Sequence, residues 1–368
     1  MLLDPPANPI PYRPDLETPD PDEGKIGEGL REQIMKIAET TYRDGGHAMR
    51  GVHAKSHGLL NAELTVEPDL PAVLRQGMFA AAGRYPVIMR FSTAPGDILP
   101  DSVTAPRGLA LKVFGVVGER LPGADGQTQD FVLVNGKTFS APNGKMFLAN
   151  LKMLAATTDK VEGLKKVISA AMRGAEHLVE AAGGQSATLV SLGGHAETQI
   201  LGDSFFSQVP IRFGDYVAKV GVVPVSPGLT ALTDQPLKLD GHPTGLRDSV
   251  VDYFADHGGE WELRVQLCTD LDDMPIENAA KLWPEDRSPY VTVARITAQP
   301  QQGWSEARAE VGDDELSFSP WHGLAAHRPL GSIMRLRKAV YEASAGFRRE
   351  HNHLPGEEPR SFSPLADG

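Results

Sequence analysis

The chain has 368 residues, 41% apolar and 23% charged, enough to bury a substantial core in one large domain or two modest ones. Its 48 acidic and 36 basic side chains leave a formal charge of −12, which excludes loose attraction to nucleic acid or anionic membranes and leaves small molecules as the expected partners. A single cysteine, Cys268, rules out an intramolecular disulfide or a CxxC site; with no leader-like start and no membrane-length apolar run, a cytoplasmic protein is expected.

The first 25 or so residues, rich in Pro, Asp and Glu, read as an extended arm that needs another surface to lie on, which makes a homodimer an expectation. An amphipathic helix follows in "GLREQIMKIAETTYRDGG". The stretch "MRGVHAKSHG", Met49–Gly58, reads as the start of a strand, placing His53, Lys55 and His57 on one side. Lys55 and His57 carry no special assignment beyond ordinary core, solvated or ion-paired residues. Strand patterns run through "GLLNAELTVEP", "YPVIMRFST", "RGLALKVFGVV" and "DFVLVNGKTF", separated by turn-rich connections. Two helices are expected in the middle, from Gly144 to about Gly183, before strands return in "GDYVAKVGVVPV", "GGEWELRVQLCT" and "SPYVTVARITAQPQ". A last helix surrounds "GSIMRLRKAVYEASAGFRREHN". Strands in two groups, with helices inserted between and added after, predict an α+β protein built on an antiparallel barrel of seven or eight strands.

Glycine-rich dinucleotide and nucleotide loops, the serine-hydrolase elbow and the HExxH zinc motif are all missing from the sequence. What remains is Arg337 and Tyr341, one helical turn apart in "RLRKAVYEASAGFR". A guanidinium held against a phenol stabilises the phenolate, and tyrosinate is an uncommon ligand whose best-known partner is ferric haem. Read alone, such a pair is more often a solvent-facing Arg stacked on a Tyr.

Taken together, the motifs resemble those of the haem-dependent catalase superfamily. "RGVHAKSHG" looks like its Arg-x-x-His strand start, "VIMRFST" its Arg-Phe-Ser-Thr motif, "APRGLALKVFG" its Pro-Arg-Gly strand, and "RLRKAVY" its Arg-x-x-x-Tyr, with further likeness through "KLWPEDRSPYVTVARITAQPQ". The resemblance implies an eight-stranded catalase-like barrel over residues 46–304 with a helical insertion near 145–205. An arm and helix (1–45) would precede it, and a segment carrying the iron-ligand helix (305–368) would follow.

The cofactor implied is haem b, with iron held by Tyr341 and Arg337 keeping that tyrosine ionised. His53 would be the distal acid-base group, oriented by Ser92. Arg50, Arg90 and Arg348 would pair with the haem propionates, and Phe131 and Phe139 would lie beside the ring. The family's distal Asn has no counterpart between Asn61 and Asn135, leaving Gln127 or Asp125 to substitute. The chain runs 27 residues beyond Tyr341, without the C-terminal helical domain of larger catalases, and "EASAGFR" replaces the usual Pro-Asp-Thr-His run while keeping the spacing to Arg348. The expected activity is reduction of hydrogen peroxide or organic hydroperoxides at the expense of an organic electron donor, peroxidase character exceeding catalase activity. The alternatives are hydroperoxide rearrangement, as in allene oxide synthases, or haem binding without catalysis.

Overall fold

The computed structural model describes residues 4–157, 196–354 and 361–366. Nine strands are described: β1 (Ser56–Val66), β2 (Arg84–Thr93), β3 (Arg107–Phe114), β4 (Thr128–Val134), β5 (Phe205–Phe206), β6 (Ile211–Phe213), β7 (Tyr216–Pro224), β8 (Gly259–Leu267) and β9 (Val291–Ala298). They run in the order β5-β4-β3-β2-β1-β9-β8-β7-β6, all pairs antiparallel, and β5 also pairs with β7. That last pairing closes eight strands into a barrel, with β6 pairing to the start of β7 along the edge that β5 also uses. The α+β barrel expected from the sequence is therefore present.

Strand periodicity decides what lies inside. On β2, Val87, Met89 and Phe91 enter the barrel core while Ile88 packs in a separate outer cluster. On β3 the inward set is Leu109, Leu111 and Val113, on β4 Phe131 and Leu133. Residues of the opposite parity on these strands (Arg90, Ser92, Gly108, Lys112, Asp130, Val132) therefore lie on the outer face of the wall, where the chemistry gathers. Burial of this core supplies the main stabilisation, at about 1.5–3 kcal/mol for each fully buried large apolar side chain.

Outside the barrel, three helices form a layer: α1 (Glu23–Gly45), α2 (Gly144–Thr157) and, much later in the chain, α4 (Ser332–His351). Ile26, Leu30, Ile34 and Ile37 make one stripe of α1 that packs on Leu151 of α2 and on Leu336 and Val340 of α4. Helix α3 (Gly245–Asp256) lies against β1, where Val250 leaves room only for the bare backbone of Gly58. Its buried Leu246, Val250 and Phe254 recur every four residues, a signal that the strand-by-strand reading passes over. The second helix expected in the middle of the chain lies outside the described residues. Among the described residues, no helix is long and apolar enough to cross a membrane.

The N-terminal arm finds its surface on its own chain. Ile10 N–H donates to the Cys268 carbonyl and Tyr12 N–H to that of Asp215, both at 2.7 Å. Farther along, Glu17, Glu23 and Glu277 surround Arg335 of α4 with N···O distances of 2.7, 2.8 and 2.9 Å. An arm docked in this way gives no argument for a dimer. Cys268 is buried, and burial pushes its thiol up to about 11, so it is an inert core residue.

Candidate active site

One group of candidate residues is built where β1, β2 and β3 begin or end, and of these His53, Ser92 and Arg90 are not among the residues that line the cavity described below. His53 is not in a strand: β1 begins at Ser56, and His53 occupies the bend before it with a left-handed φ of 55°. A non-glycine residue in this conformation needs support. Its N–H donates to the Ala94 carbonyl at 2.8 Å, its own carbonyl accepts from Arg90 Nη2 at 2.8 Å, and its ring Nδ1 lies 3.1 Å from Ser92 Oγ. The ring also rests on Gly108, where a Cβ would come within 2.7 Å of it. The glycine of the Pro-Arg-Gly strand is thus required by the imidazole above it. Desolvation, then the charges of Arg90, Arg337 and Arg50, lower the pKa of His53 from 6.5 to about 3, so the ring is neutral at ordinary pH.

Lys55 and His57 turn out to be buried. Lys55 Nζ donates to Asp101 at 2.6 Å, and Asp101 lies 3.8 Å from His57 Nδ1 and accepts from Leu246 N–H at 2.8 Å. This cluster ties the bend to α3. His57 and the core residue His327 have depressed pKa values chiefly through burial, His327 at about 3. These three imidazoles stay neutral in the fold but titrate near 6.5 once unfolded. Between pH 6.5 and 3 the unfolded chain therefore binds more protons, and stability is lost as pH falls through that window. The three imidazoles outnumber Asp101 and Asp203, whose carboxyls are raised by burial and act the other way. Urea midpoints measured across that range should fall steadily on acidification.

The second group lies on α4. Arg337 Nη2 donates to Tyr341 Oη, and the guanidinium carbon lies 5.2 Å from the phenol ring centroid. The helical spacing seen in the sequence is realised as a direct contact. Tyr341 lines a cavity of about 370 Å³, shared with Arg50, Asp125, Phe318, His322 and Arg348. That volume is in the range of small-molecule sites. Arg348 is buried and donates to the Leu316 carbonyl and to Ser317 Oγ at 3.3 and 3.2 Å.

The two expected aromatic residues, Phe131 and Phe139, are not among the residues that line the cavity. The period of two that puts Asp130 and Val132 outside turns Phe131 into the barrel, against Phe79 and His327. Phe139 packs on Phe147 at the start of α2, with ring centroids 5.0 Å apart. Gln127 is exposed, whereas Asp125 lines the cavity. The shift of parity explains the first displacement, since a one-residue error in a strand exchanges inside for outside.

Other groups join the site with little warning from the sequence. Lys112 and Asp130 face each other across β3 and β4 as a fully buried ion pair at 2.8 Å; Asp130 also accepts from Ser319 N–H at 3.0 Å and lies 3.4 Å from His322 Nδ1. Lys112→Met should cost about 3–5 kcal/mol in urea unfolding, because Asp130 would be left charged and buried without its partner. Asp313, in the π-helical turn Glu310–Glu315, takes a hydrogen bond from Arg90 Nε at 2.6 Å and lies 3.5 Å from Arg50 Nη1. In the sequence this residue sits within the run "EVGDDE", to which no motif draws attention.

With the geometry in view, the comparisons can be placed. No family model and no curated protein matches the chain. Among solved structures, a fungal catalase matches with a TM-score of 0.59 at 16% identity over 85% of this chain and 61% of its own. Catalase A from Saccharomyces cerevisiae matches at 0.57 and 15% identity over 83% and 62%, and a bacterial catalase at 0.54 and 15% over 86% and 60%. The fold is that of the catalases. Identity this low carries the fold alone, and the chain spans about three-fifths of the length of these catalases. Within the catalase fold, the bend bearing His53, the outer face of β2–β4 and the Tyr341 helix are the parts of this chain that assemble polar chemistry.

Proposed function

We propose that the chain is a haem-dependent peroxidase or catalase-like enzyme that reduces hydrogen peroxide or organic hydroperoxides. The observation that carries this reading is the pairing of Arg337 with Tyr341, which lines the cavity, while a neutral, supported imidazole, His53, is held near enough to feel the charge of Arg337.

The residues suit haem. Tyr341 would hold the iron through its phenol oxygen, which accepts a hydrogen bond from Arg337 Nη2. Arg348 on the cavity wall would pair with a cofactor carboxylate. Arg120, on the same wall, has a buried Nη1 with no hydrogen-bond partner, as expected of a donor that awaits an acceptor. When bound, haem supplies the iron at which the O–O bond of a peroxide is broken. The chain's own task is the proton. Ser92 engages Nδ1 of His53, leaving Nε2 to accept the hydroxyl proton of the peroxide and return it to the departing oxygen. A ring that is neutral at working pH is ready to accept that proton.

The test is reconstitution. Purified apoprotein titrated with ferric haem should develop a saturable Soret band, and the loaded protein should consume hydrogen peroxide or tert-butyl hydroperoxide in the presence of a phenolic donor. Failure to bind haem, or a loaded protein inert to both peroxides, would overturn the reading. Conversion of a lipid hydroperoxide to an epoxide without any donor would replace it with the rearrangement alternative.

A further inference from the structure

His322 shares the cavity lining with Tyr341, yet no iron or peroxide chemistry falls to it. It follows Phe318 and Trp321 in the segment that leads from the π-helical turn to α4, and those two side chains line the same cavity. Its backbone is fixed on both sides: its N–H donates to the Ser319 carbonyl at 2.9 Å, and its carbonyl accepts from Asp130 N–H at 2.8 Å. The ring is placed by the same neighbour. Its Nδ1 is buried 3.4 Å from the carboxylate of Asp130, which Lys112 Nζ holds at 2.8 Å and Ser319 N–H at 3.0 Å. A carboxylate so close favours the ring proton on Nδ1 and leaves Nε2 as the basic nitrogen, on a side chain that is 24% exposed.

The surroundings suit an aromatic guest. Trp321 is pinned by its Nε1–H, which donates to the Met334 carbonyl at 3.1 Å, and by Lys338 Nζ, 5.3 Å from its ring centroid. Phe318 is anchored in the outer apolar cluster with Phe114 and Leu316. Fixed indole and phenyl rings offer faces and edges to a further aromatic ring. The cavity lining runs from exposed Pro122 and Asp125 to buried Ser317, so a small molecule can enter from solvent and reach His322.

We propose that His322 is a catalytic residue of the reductive half of the reaction, the base that takes the proton of a phenolic electron donor held against Trp321 and Phe318. The proposal rests on the haem reading above and names the class of donor that serves it. In each step the phenol O–H bond breaks: the proton goes to Nε2 of His322, one electron goes to the oxidised cofactor, and a phenoxyl radical leaves. Two such steps supply the two electrons and two protons that turn a hydroperoxide into an alcohol and water. His53 handles the proton of the peroxide and His322 that of the donor.

The first test needs no cofactor. Calorimetric titration of the purified apoprotein should show p-cresol binding about tenfold more tightly than 4-methylanisole, which has the same ring and no hydroxyl proton to donate. His322→Phe should erase that preference, whereas His322→Gln, whose amide oxygen still accepts a hydrogen bond, should keep it. The second test gives the haem-loaded protein excess hydrogen peroxide and either p-cresol, which loses a proton with its electron, or ferrocyanide, which loses an electron alone. In both variants the ratio of the cresol rate to the ferrocyanide rate should fall about a hundredfold. The backbone bonds of His322 and the Lys112–Asp130 pair remain in either variant, and urea midpoints near the wild-type value would show that the fold is kept. Equal binding of cresol and methylanisole to the wild type would overturn the proposal, and so would an unchanged rate ratio in either variant. A loaded wild type that oxidises neither donor would overturn the haem reading itself, and this inference with it.

Discussion

Replacing Tyr341 with Phe should weaken the binding of ferric haem by more than about a hundredfold, the loss that removal of even a supporting residue around a metal can cause. The substitution removes one oxygen from a side chain on the cavity wall, and it leaves Arg337 with its contact to the Met334 sulfur at 3.8 Å. Packing of α4 on α1 and α2 runs through Leu336 and Val340, which the substitution leaves in place, so the fold should survive. Titration of wild type and variant with ferric haem, read by absorbance, separates loss of the ligand from loss of the structure. A variant with the wild-type affinity and the wild-type spectrum would remove Tyr341 from the iron, and the peroxidase reading with it.

The second large effect is expected at His53. His53→Ala should slow the reaction of the loaded protein with hydrogen peroxide by about a thousandfold, the usual weight of a positioned acid-base group, while leaving haem affinity near the wild-type value. Stopped-flow mixing with peroxide measures the first quantity and Soret titration the second. Because the pKa of the ring is depressed to about 3, the wild-type rate should show no acid limb from this group until the pH nears that value. A limb centred near the ordinary 6.5 would mean that the imbalance of positive charge around His53 is relieved in the loaded protein. An unchanged rate in His53→Ala would leave haem binding without this proton path.

Much of the scaffold is legible before any coordinates. Alternating apolar residues in β1, β2, β3, β7, β8 and β9 are long enough to announce themselves, and the four-residue spacing of Arg337 and Tyr341 is a geometric statement that needs only a helix. β5 is two residues long, too short for any period to register, yet its pairing with β7 is what closes the barrel. His53 shows the same limit at one residue. Its sequence context resembles a strand, but its left-handed backbone is imposed by contacts from Arg90, Ala94 and Ser92, all distant in sequence. Asp313 is the sharpest case. An acidic run is ordinarily solvated, and only the fold reveals that one member of it faces two buried guanidiniums. Phe131 differs again: the residue type suits a haem neighbour, but the parity of β4 turns it into the barrel core, on the opposite side of the wall from Asp130 and Val132.

The ion pairs around Arg335 also bear on when the site comes into being. Glu23 and Glu17 reach that arginine across 312 and 318 residues of sequence. Contacts of such separation reward the chain only after a long loop has been closed, and they arrive late on a folding pathway. The helix that carries Tyr341 is thus fastened after most of the barrel wall can already have formed from its neighbouring hairpins. A cofactor that needs this tyrosine must meet a nearly finished molecule, and supply of haem during synthesis should do little to speed the folding of the strands.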